Sequence, residues 1–312
     1  MMDTAKWGIV STIKAPARDV LNFAAHHLDI GAHRLFFYLD DDNRAAFEAL
    51  KGHPKCRPIL TDDAYWRKLG MKRRVKHQSR QFENARHAYA RATGQVDWLA
   101  HIDVDEFLWP ARPLASQLAA LPDTCMGARV RPAEALAGPG PVTHFKACNP
   151  DRATRDRQTA EIWPDYGAHL NGGFLSHVAG KMIYRTGVEG LKVQIHNIWV
   201  GDDMNPGEVT LADTALLHMH AESWESFRRA LDYRLEKGSY RAELKPGQKG
   251  ALTMHEFFKA LMAEGGEDEI RRFYDQVCTA APETLEKLQT HGLLHSHELK
   301  LEEKRKQHFP DF

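Results

Sequence analysis

Residues 98–108 read Trp-Leu-Ala-His-Ile-Asp-Val-Asp-Glu-Phe-Leu, an apolar run that ends in three carboxylates before the chain becomes apolar again. A short apolar run of this kind predicts a buried strand over 98–102, and its polar end falls at Asp103, Asp105 and Glu106. In open α/β sheets, ligands bind beyond the carboxyl ends of the strands. The segment therefore predicts a central strand with a ligand site at its end.

The alternation of strand and helix extends outward from this segment. Apolar, β-prone runs predict strands over 7–13, 35–39 and 57–60, and apolar residues at helical spacing predict helices over 18–28, 44–51 and 78–91. Strands recur over 127–131, 181–184, 192–195 and 214–218, whereas 138–141 and 149–158 are predicted to be loops. The pattern predicts an α/β fold with a mixed, mostly parallel, Rossmann-like sheet flanked by helices.

The last third of the chain is predicted to be helical. Two apolar stripes repeat there at helical spacing: Trp224, Phe227, Leu231 and Leu235, and then Ile270, Phe273, Tyr274 and Val277. Such stripes are typical of core contacts. We therefore expect an α/β domain over 1–220 and a helical C-terminal extension over 221–312 packed on it.

The charge balance limits the classes of partner. The 312 residues contain 42 basic and 42 acidic side chains, a formal net charge of +0, so composition gives no reason to expect nucleic acid as a partner.

No apolar stretch approaches the roughly 18 residues of a membrane span, and the N-terminal region is too charged for a signal peptide. The four cysteines lack metal-site or disulfide spacing. We expect a cytoplasmic protein without a membrane span, with peripheral attachment at the inner membrane as an alternative.

Asp103 and Asp105 are the first candidate metal ligands. In a strictly extended chain, side chains two residues apart point to the same side, so these carboxylates could share one divalent cation. Mg²⁺ or Mn²⁺ held there would stabilise a diphosphate as a leaving group. A solvated strand end is the alternative for this short motif, and the apolar residues on both sides favour a functional site.

Two further groups of charged residues lie near predicted strand ends. Asp40 to Asp42 follow the strand over 35–39, where Asp40 would accept hydrogen bonds from a base or ribose, while Asp42 or Asn43 caps the next helix. A basic group precedes the helix over 78–91: Arg67, Lys68, Lys72, Arg73, Arg74, Lys76 and Arg80. Arginine and lysine donate directly to phosphate oxygens, and a solvated face is the alternative.

Three histidines far along the chain, His196, His218 and His220, form the last candidate group. His218 and His220 close an apolar strand, and an imidazole there could be the third ligand of the metal that Asp103 and Asp105 begin to bind. A histidine with a purely structural role is the alternative.

The order of these features resembles the GT-A glycosyltransferases, specifically the family 2-like group that carries a W-x-x-x-I-D-x-D-E-F-L core. The resemblance spans roughly residues 7 to 240, and 98–108 is its most specific part. The other matching positions are 12–14, 26–31, 35–42, Gln78, 180–185, His218, Ser223, Phe227, Lys237 and Gly238.

This resemblance implies a metal-dependent transferase that moves a sugar from a nucleotide-diphosphate donor to an acceptor hydroxyl, with inversion, in surface polysaccharide or glycoconjugate synthesis. The acceptor would be a saccharide or lipid-linked, the metal Mn²⁺ or Mg²⁺, and residues 1–220 the GT-A catalytic domain. Carried over by position, the donor-binding residues are Thr12, Lys14, Asp40, Asp42, Gln78, Asp103, Lys181 and Arg185, and the metal ligands are Asp103, Asp105 and His218. Arg74 of the basic group is a further candidate donor-binding residue. The sequence departs from the family pattern at Met219, where a tyrosine is usual, and at Ala15 and Pro16, where Asn-Glu is usual.

An inverting mechanism needs a carboxylate that deprotonates the acceptor. Glu134, Glu161 and Asp165 lie in the middle third, where an acceptor side would be built. Asp165 and Glu134 are the candidate catalytic residues.

Two other functions remain open. A nucleotide-sugar-binding module would keep the same residues without turnover. Phosphohydrolases of the haloacid dehalogenase type also follow an apolar strand with D-x-D, the first aspartate being the nucleophile. Their motif requires a small hydroxyl residue or valine where this chain has Phe107, and it normally lies near the chain start.

Overall fold

The computed structural model describes residues 4–236, 238, 240, 242 and 252–312; Lys237, one of the matching positions above, lies outside them. The strands are β1 (Trp7–Ile13), β2 (Arg34–Leu39), β3 (Cys56–Leu60), β4 (Trp98–His101), β5 (Glu106–Pro110), β6 (Gly127–Leu136), β7 (Thr143–Lys146), β8 (Lys181–Arg185), β9 (Leu191–Val193), β10 (Ile198–Val200), β11 (Asp203–Met204), β12 (Val209–His218) and β13 (Leu294–His297). The α-helices are α1 (Ala17–Asp29), α2 (Arg44–Gly52), α3 (Asp63–Lys68), α4 (His77–Ala92), α5 (Leu114–Ala119), α6 (Arg152–Ile162), α7 (Trp224–Glu236), α8 (Met254–Val277), α9 (Pro282–Thr290) and α10 (Leu301–His308).

The chain divides into two units, and it passes between them more than once. The first unit contains the residues up to Arg131, Ala179–Leu216 and Lys300–Phe312, and the second contains Pro132–Val178 and Leu217–Leu299. The sequence suggested one division at residue 220. Segments that are distant in sequence contact one another, so each unit contains more than one stretch of the chain.

Parallel strands form one half of the sheet in the first unit, in the order β4-β1-β2-β3. Strand β8 lies antiparallel to β4, and β6 lies antiparallel to β8. All seven residues of β1 are buried, as expected for an apolar strand in the middle of a sheet. The mixed α/β fold with flanking helices and a helical C-terminal region is confirmed, and the predicted bounds of β1, β2, β3 and α4 agree within one residue.

The last helix belongs to the first unit because it packs on α1. Lys304 Nζ lies 3.2 Å from Asp29 Oδ2, and Arg305 Nη1 donates to Asn22 Oδ1 at 3.1 Å. These polar contacts join residues more than 270 positions apart, which no local pattern in the sequence indicates.

The second unit combines a short antiparallel sheet with helices. Strand β7 pairs with the end of β6 and with β13. Of the two apolar stripes predicted from the sequence, Phe227, Leu231, Ile270, Phe273, Tyr274 and Val277 lie in its core, and Trp224 and Leu235 pack against that core. Tyr166, Phe257 and Phe258, which the stripes did not include, also lie there. The loop predicted over 149–158 is wrong, since α6 begins there with Asp151 as its N-cap, accepting from the backbone N–H of Thr154 at 2.9 Å.

A glycine with a left-handed backbone positions the start of β8. Gly180 has φ +73°, and a Cβ there would press into the backbone oxygen of Val130, whereas at Gly190, which has the same φ, a Cβ would meet no described atom within 4 Å. We expect Gly180→Ala to lower the free energy of unfolding by about 3 kcal/mol and Gly190→Ala by about 1 kcal/mol. Urea unfolding of both variants measures the difference, and equal losses would contradict the close approach at Gly180.

Among the described residues, no helix is both long enough and apolar enough to cross a membrane.

Candidate functional site

Three neighbouring strands of the first unit bring polar side chains to the same edge of the sheet. Thr12 lies near the end of β1, Asp40 follows β2, and Asp103 follows β4. Because these strands are parallel and adjacent, their carboxyl ends meet at one edge. The edge predicted to carry a ligand site therefore collects three of the predicted residues.

Asp40 is the centre of a basic cluster at this edge. Its side chain is buried, and it accepts hydrogen bonds from Arg73 Nη2 at 2.9 Å and from Arg80 Nε at 2.8 Å, with His77 Nδ1 at 3.4 Å. Burial by itself would raise the pKa of Asp40, but the hydrogen bonds from His77, Arg80 and Arg73 hold that pKa well below its usual range. Asp40 is therefore ionised and anchors two arginines of the predicted basic group at the strand ends.

This cluster predicts a pH-dependent contribution to stability. A depressed folded-state pKa stabilises the fold above the unfolded pKa of about 3.9, and that stability is lost as the pH falls towards the folded value. We expect Asp40→Asn to cost about 2 kcal/mol at pH 7, since its partner Arg80 is mostly buried but Arg73 is 44% exposed. The loss should shrink progressively below about pH 4.

Asp42→Asn is the matched control, because its partner Arg44 and Asp42 itself are both exposed. It should cost less than about 1 kcal/mol. Urea unfolding from pH 7 to pH 3 checks both variants, and a loss for Asp40→Asn that is constant over this range would contradict the assignment.

Asp103 is held by two side chains from other elements. Its Oδ1 accepts from Gln81 Nε2 at 2.6 Å, and its Oδ2 accepts from Lys181 Nζ at 2.6 Å. Lys181 also lies 3.2 Å from Glu106 Oε2, and that same oxygen accepts from the backbone N–H of Asp103 at 2.8 Å. The carboxylate of Asp103 is therefore fixed in position by α4 and β8 together.

Lys181 is a buried charge with two carboxylate partners. Its side chain is 1% exposed. Burial by itself would lower the pKa of Lys181, but the charges of Asp103 and Glu106 and their hydrogen bonds raise it above its usual value. Burial also lowers the pKa values of His101 and His196 to about 4, with the charge of Lys181 acting in the same direction, so both imidazoles are neutral at pH 7.

The chain turns between the two aspartates of the D-x-D motif. Strand β4 ends at His101, and the backbone N–H of Glu106 donates to the carbonyl of Asp103 at 3.0 Å. The prediction that an extended chain points Asp103 and Asp105 to the same side therefore does not apply here. Asp105 lies half-buried in the turn, and Glu106, for which the sequence pattern predicts no role, is fully buried.

Helix α4 presents a polar face to the strand ends. Gln81 and Asn84 are buried, and Asn84 Nδ2 donates to Thr12 Oγ1 at 3.0 Å while its Oδ1 accepts from Tyr65 at 2.8 Å. His77, Arg80 or Gln81, and Asn84 repeat at helical spacing. The sequence could have indicated a buried polar face through this spacing. The apolar residues of the same helix, which repeat at the same spacing, predicted only a packing face.

The other predicted donor-binding residues are more peripheral. Lys14 and Gln78 are exposed, Asp42 pairs with Arg44, and Arg74 contacts Glu83 at 3.4 Å. Arg185 pairs with Trp98 in the antiparallel register of β8 with β4, so it lies at the opposite end of β4 from Asp103. Its guanidinium stacks on Trp98 and donates to the carbonyl of Cys125 at 2.8 Å.

A cavity of about 360 Å³ adjoins this edge of the sheet, lined by Asp40, Asp41, Asp42, Arg44, Leu60, Thr61, Asp62 and Arg73. A larger one, of about 490 Å³, lies between α2 and the C-terminal residues, where no predicted site residue is present. The chemistry of the lining, with its carboxylates and arginine, favours the smaller cavity as a site for a polar ligand.

The second unit contains the predicted residues Glu134, His218 and Asp165. The side-chain ligand atoms of Glu134, His218 and His220 lie within 4.8 Å of one another. Glu134 is buried, and its oxygens accept from the backbone N–H groups of Leu175 and Ser176. Asp165 is exposed, and its Oδ2 accepts from Gln276 at 3.2 Å and from Arg272 at 3.4 Å.

No family model and no curated protein matches the chain. Among solved structures, the chain is similar to one described as "Crystal Structure of a Mycobacterial Protein", with 13% identity and a TM-score of 0.30. The aligned part covers 58% of this chain and 53% of that one, so the chain spans about half the length of the structure that it matches. At this level the similarity carries no argument about function.

Proposed function

We propose that this chain is a metal-dependent glycosyltransferase that uses a nucleotide-diphosphate sugar and an acceptor hydroxyl. The observation that carries the proposal is the fixed carboxylate of Asp103 at the end of β4, held by Gln81 and Lys181 next to Asp105. Two arginines anchored on Asp40 lie at the end of the neighbouring parallel strands. Carboxylates for a cation and guanidinium groups for phosphate are what a metal–diphosphate ligand requires.

Asp103 and Asp105 are the residues of the first unit proposed to hold the metal. Their oxygens suit Mg²⁺ or Mn²⁺, which would stabilise negative charge on a departing diphosphate. The structure fits such a group in one specific respect: Gln81 and Lys181 each bond to one oxygen of Asp103, so its carboxylate has a fixed orientation at the strand end. Lys181 acts as a positioning residue, because it orients Asp103 and balances the charge of Glu106.

Arg73 and Arg80 are proposed to meet the diphosphate. Arg80 is mostly buried, and its bonds to Asp40 fix its orientation, whereas Arg73 is partly exposed and lines the 360 Å³ cavity. A guanidinium held by a buried carboxylate loses little further freedom when it binds an anion. Thr12, Lys14 and Asp42 are the remaining residues proposed near the nucleoside.

The acceptor is proposed to be a saccharide or a lipid-linked sugar, as the family resemblance implies. Of the two candidate bases, Asp165 is exposed and Glu134 is buried with backbone hydrogen bonds on both oxygens. Asp165 is therefore the candidate that an acceptor could reach without rearrangement of its surroundings.

Metal-dependent turnover of donors tests the function. The purified chain is incubated with a panel of nucleotide sugars and Mn²⁺ or Mg²⁺, and release of the nucleoside diphosphate is measured with and without EDTA. Metal-dependent release from at least one donor supports the transferase. Tight binding without release indicates a binding module, and trapping of an aspartyl-phosphate indicates a phosphohydrolase.

A further inference from the structure

The second unit brings two histidines and a glutamate together at the ends of two strands. Glu134 lies near the end of β6, and His218 ends β12, with His220 two residues later. We propose that Glu134, His218 and His220 form a binding site for a transition-metal ion, with Zn²⁺ as the best-suited metal. This inference does not rest on the proposed transferase function or on the carboxylates of the first unit.

The spacing of the ligand atoms suits such an ion after a small adjustment. The three atoms lie within 4.8 Å of one another. Bonds of about 2.0–2.1 Å to Zn²⁺ in a tetrahedral arrangement place ligand atoms about 3.3 Å apart. The imidazole rings of His218 and His220, whose centroids lie 4.9 Å apart at an interplanar angle of 67°, would rotate to close this difference when the ion binds.

Glu134 is already oriented as a ligand. The backbone N–H of Leu175 donates to its Oε2 at 3.0 Å, and that of Ser176 donates to its Oε1 at 2.6 Å. Each carboxylate oxygen has two lone-pair sites, so one bond to each leaves the oxygen able to bind a cation. Hydrogen bonds of this kind orient the carboxylate ligands of metal sites.

The types of ligand in the cluster select the class of metal. Lys146 Nζ lies 3.7 Å from Glu134 Oε2 and donates to the carbonyl of Val277 at 2.8 Å. The cluster supplies a single carboxylate, whereas Mg²⁺ and Ca²⁺ rely on several oxygen ligands. Two imidazoles suit zinc and its neighbours in the transition series, which bind nitrogen strongly.

The surroundings of His220 leave the cluster accessible. Glu134 and His218 are buried, whereas His220 is half-buried, with Tyr240 Oη at 3.4 Å from its Nε2. Tyr240 in turn donates to the carbonyl of Leu175, the residue whose N–H binds Glu134. Three protein ligands leave a coordination position for water or another ligand, as in catalytic zinc sites.

This assignment gives His218 a different role from the one that the family resemblance implies. The resemblance places His218 on the metal of Asp103 and Asp105, whereas the structure supplies Glu134 and His220 as its neighbours within the second unit. His220 therefore distinguishes the two assignments.

Metal binding by the full chain tests the site. After treatment with a chelator, the chain is dialysed against Zn²⁺ and bound metal is measured by mass spectrometry. We expect the wild type to bind one equivalent that is weakened at least 100-fold in His220→Ala and in Glu134→Gln. His144→Ala, a histidine of the same unit that bonds to Ser296, should bind as the wild type does.

Asp105→Asn separates this site from the proposed transferase site. Asp105→Asn should still bind one equivalent of zinc. When Co²⁺ replaces zinc, Asp105→Asn should show the visible absorption of a four- or five-coordinate site, and His220→Ala should lack it. Thermal unfolding without metal checks that each variant folds. Failure of the wild type to bind zinc, or unchanged binding in both His220→Ala and Glu134→Gln, overturns the inference. Loss of the equivalent in Asp105→Asn but not in His220→Ala also overturns it and leaves the transferase proposal standing.

Discussion

Asparagine in place of Asp105 is expected to lower kcat/KM for metal-dependent donor turnover by about 10³-fold or more. The substitution keeps the size of the side chain and removes one negative charge from the proposed metal ligands. Charge stabilisation by a metal contributes several kcal/mol to a transition state, and about 4 kcal/mol corresponds to a factor of 10³. Initial rates of nucleoside diphosphate release at saturating Mn²⁺ measure the change.

The position of Asp105 lets a loss of activity in Asp105→Asn be attributed to the proposed metal site and not to a loss of folding. It lies half-buried in the turn after Asp103, outside the regular ladder of β4 and β5, so the fold is expected to tolerate asparagine. Asp202→Asn is the control, because Asp202 is an exposed aspartate in a turn of the same unit. Rates within twofold of wild type for Asp105→Asn would remove Asp105 from the site.

Methionine in place of Lys181 is expected to have the largest effect on stability, a loss of about 3–5 kcal/mol. The ammonium group is buried and bonds to Asp103 at 2.6 Å and to Glu106 at 3.2 Å. Removing one partner of a buried ion pair leaves the other charge without compensation, and that accounts for the magnitude. Urea unfolding at pH 7 measures the loss, with Lys192→Met on the exposed face of β9 as the control.

A second substitution tests the physical reason. If uncompensated charge on the buried Glu106 causes the loss, Glu106→Gln in the Lys181→Met background should restore at least about 1 kcal/mol. The same Glu106→Gln change in the wild-type background should destabilise the chain. A double variant no more stable than Lys181→Met would show that packing of the lysine stem, and not charge balance, determines the effect.

Local patterns predicted the strands of the first unit well. The run Leu35 to Leu39 is apolar throughout, and the structure places it in β2 with five buried residues. Trp7 to Ile13 behaves in the same way. In both segments the residue types alone indicate a buried strand, so a single sequence is enough to identify them.

Helices made mostly of polar residues are harder to predict from the sequence. The polar run over 149–158 predicts a loop, but α6 begins within it. Residues 152–162 have almost no apolar periodicity, and only Thr159 and Ile162 of this helix are buried. The helix begins after an N-cap at Asp151. Asn149 and Pro150, which precede this cap, are typical of loops, so the cap is hard to recognise in the sequence.

The site itself combines residues that a local pattern can identify with partners that it cannot. Asp103 and Asp40 follow apolar strands, which marks them in the sequence. Their partners Lys181 and Arg80 lie 78 and 40 residues away. Such pairings arise from the order of strands in the sheet and from the face that α4 presents to it, so one sequence without the fold does not reveal them.

Binding of nucleoside diphosphates is the most direct test of the central claim, that Asp103 and Asp105 form a metal–diphosphate site. Thermal unfolding is followed with UDP, GDP or dTDP, each with Mn²⁺ and with EDTA. A ligand at 100 times its Kd stabilises by about 2.7 kcal/mol, which raises Tm by roughly 5 °C in a chain of this size. We predict such a rise for at least one nucleotide, only with Mn²⁺, and its loss in Asp105→Asn. No Mn²⁺-dependent rise with any nucleotide, or an undiminished rise in Asp105→Asn, would contradict the account.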